Sequence, residues 1–146
     1  MMDGLTIVIS PLIVLMHDQV RHLRERGIPS VHLDSLMTPA ERADALNQLT
    51  RGQAKIAFLA PERLNHPEIN ALCQQRPPAM VVVDEAHCVV QWGEAFRPSY
   101  QQIGQFVSSL PRRPVLCAMT ATADKQLQRG IVQSLGLRHP KRIVMP

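Results

Sequence analysis

Two carboxylates and an imidazole close an apolar run at Met80–Val81–Val82–Val83–Asp84–Glu85–Ala86–His87. Acids directly after a strand suit a magnesium ion beside a phosphate, because Mg2+ takes few carboxylates, keeps waters and binds phosphate oxygens. Asp84 would hold such an ion through its waters, and Glu85 would orient or deprotonate an attacking water. The plainer alternative for an isolated acid pair is a helix N-terminus whose charges complement the macrodipole. Thr120 and Thr122, in the run AMTATA, carry hydroxyls that can hydrogen-bond the acids and His87 from a neighbouring strand end. Taken singly, each Thr is an ordinary cap and His87 an ordinary structural residue. Together they form a candidate phosphate-handling cluster.

The segment that follows is richer. The chain has one Trp, one Tyr and three Phe, and Trp92, Phe96 and Tyr100 all fall within QWGEAFRPSY (residues 91–100). Spaced by four, they could form one helical stripe packed into the core. Gly93 and Pro98 oppose a long regular helix there. A loop carrying Gln91, Trp92, Phe96 and Arg97 suits stacking on single-stranded bases. Its position directly after the acids lets base contact and phosphate chemistry influence one another.

These residues need a frame. Short apolar, β-branched runs at Leu5–Ile9, Val31–Leu33, Lys55–Leu59, Met80–Val83 and Val115–Met119 predict strands, with a weaker one at Arg142–Met145. The stretches between them are helical in pattern, which is the rhythm of a parallel α/β sheet. The unbroken apolar character of Met80–Val83 predicts a strand covered on both faces. Thr38–Pro39–Ala40–Glu41 predicts a capping box opening a helix to about Arg51, with Gly52 as its stop. Helices are also expected from Leu12 to Arg26, ending at Gly27, and from Asp124 to Leu135, ending at Gly136. Without repeats or linkers, residues 1–146 read as one domain. Ser10–Pro11, Pro61–Glu62–Arg63, Asp84–His87 and Thr120–Thr122 each follow a strand, which gathers them on the carboxyl edge where open α/β sheets bind ligands.

Composition bounds the partners. Sixteen Lys and Arg against twelve acids give a net charge of +4 and a pI near 9.4, which suits an anionic partner such as nucleic acid. No apolar run approaches the roughly 18–20 residues of a membrane span. The first residues lack the basic stretch of a signal peptide, so the expected address is cytoplasmic, with no membrane partner. Cys73, Cys88 and Cys117 form no CxxC pair, so they read as buried thiols and no zinc is expected.

The combined motifs resemble the first RecA-like motor domain of superfamily 2 helicases, and the RecQ-type DNA helicases in particular. VISPLIVLMHDQV (residues 8–20) resembles motif Ia and LAPERL (59–64) motif Ib; DEAH (84–87) matches motif II and AMTATA (118–123) motif III. QWGEAFRPSY resembles the aromatic-rich loop particular to the RecQ-type enzymes. The resemblance implies an α/β RecA-like P-loop NTPase fold, a parallel sheet with helices on both faces. It implies ATP and Mg2+ as cofactors, with Asp84, Glu85, Thr120 and Thr122 at the nucleotide and Asp84, Glu85 and His87 as the catalytic set. It places Ser10, Pro11, Pro61, Glu62 and Arg63 along the DNA backbone path, and Gln91, Trp92, Phe96 and Arg97 on single-stranded DNA. The activity implied is 3′ to 5′ translocation and duplex unwinding in repair and recombination.

The departures shape the expectation equally. The 146 residues contain no GxxxxGK[ST] and no glutamine-containing adenine-reading segment, both of which precede motif Ia in the family. A second motor domain with its arginine finger, and the zinc-binding and winged-helix parts, also have no counterpart. The resemblance therefore covers part of one motor domain, lacking the P-loop strand and helix. Charge-assisted bonds contribute about 1.5–3 kcal/mol each, so lacking several predicts weak or no ATP binding and negligible hydrolysis. Marginal stability is expected as well. One alternative is a module that binds single-stranded DNA or a partner without using ATP. Another is a phosphorelay receiver built on Asp84, Thr120 and Lys125, although Ser10–Pro11 stand where a receiver needs acids. No signal for oligomeric state is evident.

Overall fold

The computed structural model describes residues 4–92, 96–121 and 124–138. Five parallel strands form one sheet: β1 (Leu5–Ile9), β2 (Ser30–Leu33), β3 (Ile56–Leu59), β4 (Pro78–Val83) and β5 (Val115–Ala118), in the order β2-β3-β1-β4-β5. The helices are α1 (Ile13–Glu25), α2 (Pro39–Thr50), α3 (Pro67–Gln75), α4 (Gln102–Ser108) and α5 (Lys125–Leu135). Short 3-10 turns follow β3 at Pro61–Asn65 and β4 at Ala86–Val89, and another at Pro98–Gln101 leads into α4. The expected strands and helices are present among the described residues. The strand expected at Arg142–Met145 lies outside them, as do Thr122, Gly93, Glu94 and Ala95.

Local signals account for the boundaries. Thr38 Oγ1 accepts from the Glu41 N–H, and the Glu41 carboxylate accepts from the Thr38 N–H, which completes the capping box of α2. Asp124 caps α5 by accepting from the Leu127 N–H. Gly136 ends α5 at φ 66°, a left-handed conformation that a Cβ would strain.

Strand order explains how the helices are shared out. The chain steps from β1 outward to β2, then back across through β3, β4 and β5. Right-handed crossovers therefore put α1 on one face and α2, α3 and α4 on the other. The core follows this division. Met16 and Val20 of α1 pack with Phe58 and Ala60 on the first face, while Ala45, Leu49, Ile69, Ile103 and Ile131 pack on the second. The receiver alternative fails here, because the flavodoxin-like order of that fold is 2-1-3-4-5.

One expectation needs correction. The helices lie on both faces, but β4 is not fully covered on both. Val81 and Val83 are fully buried beneath the second face, whereas Met80 and Val82 remain half-buried. Val115 of the neighbouring edge strand β5 is 58% exposed. Among the described residues α1 alone serves that face, and it packs toward β2, β3 and β1 rather than over β4 and β5.

Candidate nucleotide and nucleic-acid site

Parallel strands end on one edge, so the segments after β1, β3, β4 and β5 converge there. Asp84 leaves β4 with its N–H donating to the Ile9 carbonyl (2.9 Å), and the Ala86 N–H donates to the Met119 carbonyl (2.8 Å). The acidic turn is thus tied to the ends of both flanking strands. Asp84 Oδ1 accepts from the Glu85 N–H at 2.9 Å. Among the described residues Oδ2 makes no hydrogen bond, which leaves a hard oxygen for a ligand. Glu85 adopts φ 53°, the sole positive φ of a non-glycine among the described residues. That conformation costs a side-chain-bearing residue roughly 1–2 kcal/mol and persists where the surroundings impose it, commonly at functional sites.

His87 joins two elements. Its Nδ1 lies 2.6 Å from Thr120 Oγ1 just past β5, and its Nε2 lies 3.4 Å from Glu85 Oε2. With its proton on Nε2, facing the Glu85 carboxylate, the imidazole accepts a hydrogen bond from the Thr120 hydroxyl on Nδ1. The expected hydroxyl-to-imidazole link is therefore present for Thr120.

The aromatic segment divides by role. Tyr100 is a core residue, 1% exposed, and its hydroxyl donates to the Asp84 carbonyl at 2.8 Å. Burial, with Cys88 and Asp84 nearby, pushes its phenol far above the ordinary range, so it remains a donor. Trp92 is 60% exposed, which rules out a single buried stripe. Val90 and the indole edge of Trp92 flank Gly130 of α5 so closely that a Cβ there would meet them at 3.1–3.3 Å. Phe96 is half-buried, and Gln91 and Arg97 are exposed. The Arg97 N–H donates to the Cys88 carbonyl, fixing the return of the chain against the acidic turn. Burial raises the Cys88 thiol pKa, partly offset by the Arg97 charge.

The remaining expected site residues sort by exposure. Ser10 is buried, and its Oγ accepts from the Leu12 N–H at the entry to α1. Pro61 is buried, Pro11 and Arg63 are half-buried, and Glu62 is exposed. Arg63 Nη2 donates to the Asp34 carbonyl at 2.9 Å, joining the segment after β3 to the end of β2.

Asp34 was absent from the sequence expectations. It is fully buried, and its Oδ2 receives His17 Nε2 at 2.9 Å and His32 Nδ1 at 2.7 Å. Oδ1 accepts from the Leu36 N–H. Burial alone would raise this carboxyl, but the bonds from His17, Leu36 and His32 outweigh it and hold the carboxyl below the usual range. The available signal was His-x-Asp at a strand end, because alternate strand residues share a face; His17 comes from a different element.

A family model described as DEAD/DEAH box helicase matches residues 2–129. The chain is 44% identical over 144 residues to an ATP-dependent DNA helicase RecQ of Synechocystis, covering 95% of this chain and 30% of that protein. It is 41% identical over 138 residues to the RecQ helicase of Bacillus subtilis, covering 94% of this chain and 23% of that protein. The chain therefore spans less than a third of the length of these curated relatives. Among solved structures, the Hef helicase domain of Pyrococcus furiosus aligns at TM-score 0.65 and 19% identity, covering 93% of this chain and 28% of that one. A hypothetical ATP-dependent RNA helicase from Sulfolobus tokodaii aligns at TM-score 0.67 and 16% identity, covering 91% of this chain and 38% of that one. Those likenesses establish the shared fold.

Proposed function

The chain belongs to the DEAD/DEAH box helicase family, and from that premise we propose that it is part of the first motor domain of a RecQ-type, ATP-dependent 3′ to 5′ DNA helicase. One observation carries the proposal. His87 connects Glu85, the candidate water-activating acid, to Thr120 on the next strand, and an exposed Trp92 follows on the same short segment. A change at the acids can thus reach a base-stacking surface within a few residues.

The oxygens of Asp84 and Glu85 suit Mg2+, and the family relation supplies ATP as the phosphate donor. Bound Mg–ATP would offer a phosphoryl group whose cleavage drives translocation. Asp84 would hold the metal through its waters, and Glu85 would orient the attacking water and accept its proton. His87 keeps Glu85 in register with Thr120. Gln91, Trp92, Phe96 and Arg97 take single-stranded DNA by stacking and charge. Pro11, Glu62 and Arg63 border the backbone path, while the buried Ser10 and Pro61 shape it.

The absence of GxxxxGK[ST] from the 146 residues favours a second reading for this polypeptide alone: single-stranded DNA binding without ATP turnover. The half-covered face of β4 and β5 supports the view that a further strand and helix complete the nucleotide site. A titration with single-stranded DNA, followed by the fluorescence of Trp92 with and without Mg–ATP, tests both. We expect salt-sensitive quenching that is indifferent to nucleotide, together with negligible ATP turnover. DNA-stimulated turnover by the 146-residue polypeptide would overturn the second reading, and absence of DNA binding at low salt would overturn both.

A further inference from the structure

His17, His32 and Asp34 come from three places in the chain: α1, β2 and the turn after β2. Their Nε2, Nδ1 and Oδ2 atoms all lie within 4.8 Å of one another. The two imidazole rings stack at 3.9 Å between centroids, and both aim a nitrogen at the same carboxylate oxygen. That carboxylate is fully buried, and among the described residues no Lys or Arg pairs with it; Arg63 binds the backbone carbonyl instead. A buried anion needs a nearby positive charge. Two neutral imidazoles and a carboxylate are also a donor set suited to zinc and its first-row neighbours.

We propose that His17 Nε2, His32 Nδ1 and Asp34 Oδ2 form a binding site for a divalent ion of the zinc class that pins α1 to the edge strand β2. Neighbouring ligand atoms around tetrahedral zinc stand about 3.3 Å apart, given bonds of about 2.0–2.1 Å. The two imidazole nitrogens, 2.9 and 2.7 Å from Asp34 Oδ2 and within 4.8 Å of each other, would reach that spacing by adjustment of the His17 and His32 rings, both of which are partly exposed. The Leu36 N–H holds Oδ1, so the carboxylate is already oriented to present Oδ2. His17 is 42% exposed, which leaves a path for the ion and a coordination position for water. The ion would join α1 to the end of β2, where Arg63 from the segment after β3 already binds the Asp34 carbonyl, so its occupancy would stiffen that part of the carboxyl edge.

The test is a titration of the 146-residue chain with Co2+ and with Zn2+, following the visible d–d absorption of cobalt and the heat of zinc binding. The expected result is one equivalent bound, weakened by about tenfold or more in His17→Gln and in His32→Gln and unchanged in His22→Gln and His66→Gln. Zinc should also raise the melting temperature of the unaltered chain but not that of His17→Gln. If either site variant melts early without metal, the other supplies the comparison, and the cobalt spectrum of the unaltered chain reports the ligand types directly. Absence of stoichiometric binding would overturn the proposal. So would binding undiminished in the doubly substituted His17→Gln/His32→Gln chain, or a thiolate charge-transfer band placing the ion on a cysteine.

Discussion

Tyr100 shows how a single residue can carry two signals at once. In sequence it is the third member of an aromatic series; in the structure it leaves that series and supports the acidic turn from below. Its hydroxyl donates to the Asp84 carbonyl from a buried position, so Tyr100→Phe would remove the bond and leave the carbonyl without that partner. A loss of about 0.5–1.5 kcal/mol in urea unfolding is expected; an unchanged midpoint would show that this bond contributes nothing. The acid–His87–Thr120 cluster was legible because its members are chemically distinctive and each follows a strand. Spacing gave no means of separating Trp92 from Tyr100, since exposure depends on which helix each residue meets. The Asp34 cluster was hidden for a related reason: His17 and His32 are distant in sequence until α1 and β2 pack together.

At the scale of elements, α2 offers a local test. Thr38→Ala removes the side-chain cap and should cost about 1 kcal/mol at neutral pH. The backbone N–H of Thr38, followed by its side chain, holds the Glu41 carboxyl below its ordinary value. A depressed folded value stabilises the protein above the unfolded carboxylate value, about 4.3 for Glu, and the contribution is lost as pH falls through the folded value. The urea midpoint should therefore drop less between pH 5 and 3 in Glu41→Gln than in the unaltered chain; equal drops would contradict the capping account. Helix ends marked by caps or by Gly were readable within a residue or two. β4 began earlier than expected, at Pro78, because a strand's first residue can lack an N–H without losing a ladder bond. The turn at Ala86–Val89 had no sequence marker, being imposed by bonds from its flanks to Ile9 and Met119.

Across the whole molecule, one reversal of direction organises the site. Because the chain leaves β1 for β2 and returns through β3 to β4, the end of β1 and the end of β4 flank the point where crossovers change face. Ser10 and Asp84 stand there, with Thr120 one strand further on. The parallel sheet was legible from alternation of apolar runs and amphipathic stretches, but its strand order was not, since short runs of similar composition do not specify their neighbours. The uneven cover of β4 was equally hidden, because an apolar run reads the same whether one face or both are sealed. The central claim is that the segment after the acidic turn meets single-stranded DNA. Ultraviolet crosslinking of the chain to single-stranded DNA, with the attached peptide mapped by mass spectrometry, tests it most directly. The account predicts crosslinks at Trp92 and Phe96 that fall away in Trp92→Ala; crosslinks confined to other segments, or none at low salt, would contradict it.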